Sequence, residues 1–337
     1  MFSLSGFGTL GMTHSSLDTA DYTSTAFEPN GAGHSRDVDF ADDTKFGVQL
    51  TARFTNSLSA VVQVVSDHQY DNTFSPHVEW ANLKYAITPD LSVRVGRIEL
   101  PTFLDSDYRE VGYATPWVRV PIEVYSTDPI TNSDGADLSY RLRFGEVADT
   151  LRILYGYSDF HVNPGMWKAT GTGIVGIFDT VEYRDLTVRG GLLHGDVKLA
   201  LLPTKQPVNI YSAAIAYDAG VWFVQGELAR VTVDEITPGY LSGYVTAGYR
   251  LAKFTPYVTY AQSHSLSHAT VFRNPNLGQR DVSAGVRWDF LTNMDLKVQF
   301  DHVSLSTGSI GDFTNIQPTF ELGGGANVLS ATLDFVF

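Results

Sequence analysis

The sequence predicts an all-β fold: a closed, antiparallel, up-and-down transmembrane β-barrel of about sixteen strands, forming one domain over residues 1–337. Three observations carry that reading. The chain is punctuated into period-two segments of about ten residues, and the polar separators between them alternate short and long. Hydrophobic residues make up 43% of the chain, yet the densest apolar stretches, such as Ala60 to Val65, break long before the ~20 residues that a spanning helix needs. Finally, the chain ends on a strand whose Leu329, Ala331, Leu333, Phe335 and Phe337 share one face, an apolar face that lipid accepts and water does not.

The elements follow in order. A first strand, Phe2 to Met12, leads into a long polar segment from His14 to Thr44. Lys45 to Phe54 and Leu58 to Asp67 form a hairpin across Thr55-Asn56-Ser57. Beyond His68 to His77, the strands Val78 to Ile87 and Leu91 to Arg97 turn at Thr88-Pro89-Asp90. The longest interruption, Ile98 to Asp134, comes next. Ala136 to Phe144 and Thr150 to Tyr157 flank Gly145-Glu146, and a Gly- and Pro-containing loop, Ser158 to Gly173, follows. Val175 to Tyr183 pairs with Leu186 to Gly195, Val208 to Tyr217 with Val221 to Val231, and Tyr240 to Arg250 with Phe254 to Gln262. After the loop Ser263 to Gln279 come Arg280 to Phe290, Asp295 to Ser304 and the closing strand. Short turns fall on one side and long loops on the other, the asymmetry of barrels in the bacterial outer membrane. An even count brings the last strand beside the first.

Alternation assigns the faces. Phe46, Val48, Leu50, Ala52 and Phe54 face lipid, leaving Lys45, Gln49, Thr51 and Arg53 inside. The same phasing puts Gln63, Lys84, Arg94, Arg141, Arg143, Arg152, Arg189, Arg287 and Lys297 in the interior. A cation on the lipid face near mid-membrane costs about 2–4 kcal/mol. The competing assignment is the solvated face of a soluble β-sandwich. Tyr85, Tyr157, Tyr183, Tyr217, Tyr249, Tyr260 and Trp288 near strand ends read as aromatic girdles.

Charge and composition exclude other classes. With 23 Lys+Arg against 37 Asp+Glu, a net charge of -14, the chain does not suit a nucleic-acid partner. It has no cysteine, so disulfides and thiolate chemistry are absent. No cofactor motif occurs, and no Gly-x-Ser-x-Gly elbow, so the chain is expected not to be an enzyme. Asp37, Asp39, Asp42 and Asp43 form an acidic run that is either a weak Ca²⁺ site or a solvated, lipopolysaccharide-facing loop. His264 and His268 stand four apart in a loop, a poor metal spacing. Met1 directly precedes a strand, so an export signal is expected to have been removed.

The segment Ile98 to Asp134 combines seven carboxylates with Leu100, Phe103, Leu104, Tyr108, Trp117 and Val118, too apolar for a loop in water. It is expected to pack into the barrel interior. Here the chain resembles the Gram-negative trimeric porin family: about sixteen strands, Gly96-Arg97 ending the fifth, the longest loop directly after it, and a terminal Phe337. The loop carries Glu99-Leu100-Pro101-Thr102-Phe103 and Pro121-Ile122-Glu123 where the best-known members have Pro-Glu-Phe-Gly.

The resemblance implies a third loop folded into the lumen, its acidic side Glu99, Asp105, Asp107, Glu110 and Glu123 facing Arg53, Lys84, Arg94, Arg97, Arg141 and Arg143. It also implies passive diffusion of small hydrophilic, charged solutes across the outer membrane. Contacts would be with lipid, lipopolysaccharide and two further copies in a homotrimer. The trimer would touch through the glycine-rich first strand and a latch from His68 to His77, with Phe335 and Phe337 as membrane anchor and assembly signal. Facing rows of opposite charge would set a transverse field across the passage. The plainer alternative is that each carboxylate only bonds the loop to the wall. A barrel hydrolase and a plugged receptor or adhesin are the competing functions.

Overall fold

Strand ends are set where alternation meets turn-forming residues, and the computed structural model of the chain has sixteen long strands among its described residues. Those are all residues except 26, 129, 163–166, 201, 203, 234–238 and 267–275. The strands are β1 Phe2–Ser15, β2 Lys45–Arg53, β3 Leu58–Asp67, β4 His77–Ala86, β5 Leu91–Glu99, β6 Asn132–Phe144, β7 Val147–Val162 and β8 Trp167–Tyr183. The meander continues with β9 Leu186–Leu199, β10 Gln206–Asp218, β11 Trp222–Val233, β12 Tyr240–Tyr249, β13 Phe254–Ser265, β14 Gln279–Leu291, β15 Met294–Leu305 and β16 Gly325–Val336. Each pairs antiparallel with its neighbour, and β1 pairs with β16 to close the barrel, Phe7 opposite Val336 and Ser15 opposite Val328.

Side chains sort as a barrel in lipid requires. Phe46, Leu50, Leu83, Val95, Leu138, Ile177, Leu192, Leu228, Val258 and Phe300 are exposed on the outer face, while Gln63, Asn82, Asp137, Arg152, Glu227, Asp281, Lys297 and Asp334 are buried inside. Tyr85, Tyr183, Trp222, Tyr249, Phe254 and Trp288 stand exposed near the short-turn end. Two-residue hairpin turns hold Arg184 (φ 52) and Asn293 (φ 62) in the left-handed region that such turns use.

Three expectations need correction. The loop expected from Ser158 to Gly173 is largely strand, because β7 and β8 continue pairing from Ser158 opposite Gly171 up to Val162 opposite Trp167. Backbone bonding in a projecting hairpin needs no lipid-facing alternation, so periodicity did not reveal it. The long first loop is also partly folded: Asp21–Tyr22 pairs with Ala32–Gly33, and Val38–Asp39 pairs with β1. Lastly, the outward face of β1 offers a neighbour Phe2, Leu4, Leu10 and Met12, all exposed, and not its glycines. A Cβ at Gly6 would lie 2.3 Å from the Phe337 ring and one at Gly8 2.4 Å from the Phe335 ring, so the chain's own last strand covers both.

Loop 3, residues 100–131, supplies much of the interior core. Phe103, Trp117, Val124 and Tyr125 pack with Ile210, Phe223, Ala229, Val231, Tyr244, Tyr257 and Ala261 of the wall. Its α-helical turn, α1 Ile122–Tyr125, lies against β11, β12 and β13. Loop 1, residues 16–44, and loop 8, residues 306–324, fold in beside it: Tyr22 and Phe313 pack with Ile122, Val303 and Val328.

Candidate functional site

Loop 3 crosses the lumen. At one end the Leu104 amide donates to Glu227 of β11 at 3.0 Å, and Asp105 accepts from Gln225 of the same strand at 3.0 Å. Five residues on, Glu110 accepts from Lys45 Nζ of β2 at 3.0 Å. β2 and β11 stand seven strands apart by the shorter way round a sixteen-strand barrel, nearly opposite each other. The segment between is therefore a bridge, compacted by turn bonds from Tyr108 N to Asp105 O (3.1 Å) and Val111 N to Tyr108 O (2.8 Å).

The loop then follows the wall. Gly112 touches the barrel seam so closely that a Cβ would sit 2.1 Å from Asp334 Oδ1, and its carbonyl accepts from Lys297 Nζ at 2.5 Å. Arg287 donates to the carbonyls of Tyr113 (2.6 Å) and Thr115 (3.1 Å). Trp117 Nε1 donates to both Thr246 and Thr259 at 3.1 Å. Arg119, buried, donates to Asp43 at 2.5 and 2.9 Å, and to Thr13 and Ser330. Sequence reasoning gives Arg119 no role in the site. Its partner Asp43 lies in loop 1, a pairing no local pattern encodes.

The expected acidic side divides. Asp107 is the lumen-facing member, its side chain 50% exposed and 3.9 Å from Arg152 Nη1. Glu110 is partly exposed and held by Lys45 and, at 3.6 Å, by Arg109. Glu99 is buried between Arg94 Nη1 (2.8 Å) and Arg152 Nη1 (3.0 Å).

Asp105 and Glu123 do not face the passage, which corrects the expectation for both. Asp105 is buried under Tyr108 and Gln225. Glu123 is 0% exposed and accepts from Gln279 Nε2 at 2.8 Å. Burial pushes its carboxyl up to about 7. Apolar neighbours in the loop drag these carboxylates to the wall, and a loop has no period from which that is readable.

The basic side divides too. Arg94 points inward, forked on Asp137 and on Glu99, and Arg152 shares both partners. Arg189 joins them, donating to the Pro101 carbonyl. Lys84 pairs in register with Arg94 and Ser59, while Arg141 binds Glu182 at 2.8 Å toward the short-turn end. Arg53 and Arg143 are exposed at that end.

Arg97 is a correction. It pairs in register with Ala81 and Asp134 and lines the edge of the cavity above loop 3, away from the loop 3 carboxylates. It binds Asp134 there at 2.7 Å.

The acidic run of loop 1 does not converge. Asp37 is 92% exposed beside His14, Asp39 binds Arg36, Asp42 accepts from the Ser24 amide at 2.6 Å, and Asp43 holds Arg119. A Ca²⁺ site on these four is thereby overturned. His268 lies outside the described residues, and His264 is exposed on β13. In loop 2, His68 binds Glu28 of loop 1 in the same chain at 3.3 Å and Asn72 accepts from Asn30 at 2.8 Å, while residues 71–76 are exposed.

A cavity of about 390 Å³ lies between loop 3 and the outer loops, lined by residues including Lys45, Asp67, His77, Arg109, Glu110 and Tyr70. No family model matches the chain, and no curated protein does. Solved structures resemble it over 100% of its length at low identity. A Salmonella typhi OmpF complex with daunomycin is 16% identical with a TM-score of 0.63, covering 97% of that chain. An anion-selective porin from Comamonas acidovorans is 12% identical at 0.63 over 99% of its chain, and the outer membrane channel DcaP of Acinetobacter baumannii is 10% identical at 0.66 over 97%. The chain thus has the porin-like fold, a closed barrel of sixteen antiparallel strands.

Proposed function

We propose that this chain is an integral outer-membrane channel for passive diffusion of small hydrophilic, charged solutes, working without a cofactor and not as an enzyme. The observation that carries the reading is the bridge: a polar-lined barrel crossed by a loop whose Asp107 faces Arg152, with Arg94 and Arg189 beside it. Opposite charges across a narrow wet passage orient dipolar solutes and tax apolar ones. The solved structures of similar fold, described as porins or outer membrane channels, support it, as does a Vibrio cholerae OmpT described in trimer form. We extend that to self-association as a homotrimer in contact with lipid and lipopolysaccharide.

Purified protein in planar bilayers should give discrete current steps, in groups of three equal levels for a trimer. The bridge itself favours a second reading, a plugged receptor, because loop 3 is bonded to opposite walls. Folded protein that never passes current would select that reading over the channel.

A further inference from the structure

We propose that loops 1 and 2 form an aromatic lid closed onto β7, and that the cavity of about 390 Å³ beneath it holds a small dipolar solute before it passes loop 3. The inference deepens the channel reading and rests on it. The lid is built as one piece: His68 of loop 2 is bonded to Glu28 of loop 1 at 3.3 Å, and Asn30 donates to Asn72 at 2.8 Å. That piece touches β7 at two ring contacts. Tyr70 stacks on His161 with centroids 4.2 Å apart and planes 12° from parallel, and Phe27 stacks on Phe160 at 6.2 Å.

Phe160 and His161 lie on the part of β7 that projects beyond the outer band, paired with Ala169 and Lys168 of β8. The loops close against these paired strands by stacking, an attachment worth about 0.5–1.5 kcal/mol per pair. Contacts this weak open thermally, which suits a lid and not a permanent seal.

Opposite charges stand in pairs along the chamber wall. Lys45 and Arg109 flank Glu110 at 3.0 and 3.6 Å, and His77 stands 3.6 Å from Asp67 on the neighbouring wall. A solute of one sign breaks these pairs and leaves a charge uncompensated. A solute carrying both signs exchanges one pair for another. The site therefore fits a zwitterion of amino-acid size.

The chain has no cysteine, so a Tyr70→Cys, His161→Cys double variant of the full protein places the only two thiols in it. After joining by a short, reducible bis-methanethiosulfonate reagent, verified by mass spectrometry, the single-channel current in KCl should fall severalfold and return on reduction. Failure of the two thiols to join, or a joined protein that conducts like the reduced one, overturns the lid. Folded protein that gives no current in either redox state sinks the channel reading itself, and the lid with it. For the chamber, L-alanine should interrupt the wild-type current where glycerol does not, and the Lys45→Met, Glu110→Gln variant should lose the interruptions. Equal effects of alanine and glycerol would overturn the dipolar site.

Discussion

Asp105 and Asp107 stand two positions apart in one loop, yet their environments give them different work. Asp107 meets water and the Arg152 guanidinium, so its charge is felt by a passing ion, while Asp105 is sealed behind Tyr108. Asp107→Asn should therefore shift the reversal potential toward anions in a salt gradient at low ionic strength, where screening is weak. Asp105→Asn should leave it unmoved, and equal shifts would contradict the assignment. Glu123 makes a pH prediction with a definite sign. Its carboxyl sits at about 7 when loop 3 is docked against an ordinary 4.5, because burial favours the neutral acid. Docking is then strongest below pH 4.5 and weakens as pH rises toward 7, by roughly 3 kcal/mol at most, before levelling off. Glu123→Gln should flatten that dependence in hydrogen exchange of residues 118–126. A retained slope across the same window would place the titrating group elsewhere.

Strands were legible because lipid outside and water inside impose a period of two, and the register of β2 against β3, Val48 opposite Val64, shows that pattern in three dimensions. The depth of loop 3 was legible as well, since Phe103 and Trp117 had to be buried against something. Its course was not. Hydrogen bonds from Trp117 to Thr246 and Thr259, or from Arg119 to Asp43, join residues far apart in sequence with nothing periodic between them. Trp117 is the anchor of that course, fully buried among Tyr244, Tyr125 and Phe103, and both ends of its role are lost together in Trp117→Ala. Removing a buried indole costs about 3–5 kcal/mol, charged here to loop docking, because every strand keeps its ladder. The variant should remain a heat-modifiable barrel on gels while loop 3 becomes open to protease, with larger and noisier current steps. Loss of the folded barrel itself would show that loop 3 holds the wall together.

At the scale of the whole molecule the decisive event is closure of a sheet that would otherwise present two bare edges to lipid, where no water satisfies the backbone. The seam joins β1 to β16, and the Phe337 amide and carbonyl exchange bonds with Gly6 at 3.0 and 2.9 Å. Two glycines make the seam close. Phe335 and Phe337 lie flat over Gly8 and Gly6, and Phe337 also stacks on Phe46 of β2 with centroids 6.3 Å apart. The terminal ring thus spans the joint from the last strand across the first to the second, and couples closure to the neighbouring hairpin. Phe337→Ala keeps the backbone bonds but removes that clasp, at about 1 kcal/mol for the ring contacts. The expected result is a folded barrel that converts to the unfolded gel form at a lower temperature than wild type. Gly6→Leu should weaken the seam more, since its side chain collides with the Phe337 ring and the Gly47 carbonyl, and combining it with Phe337→Ala should recover part of the loss by removing the ring. Strict additivity of the two changes would mean that the ring and the glycine act independently, and the seam would then be held by its ladder alone.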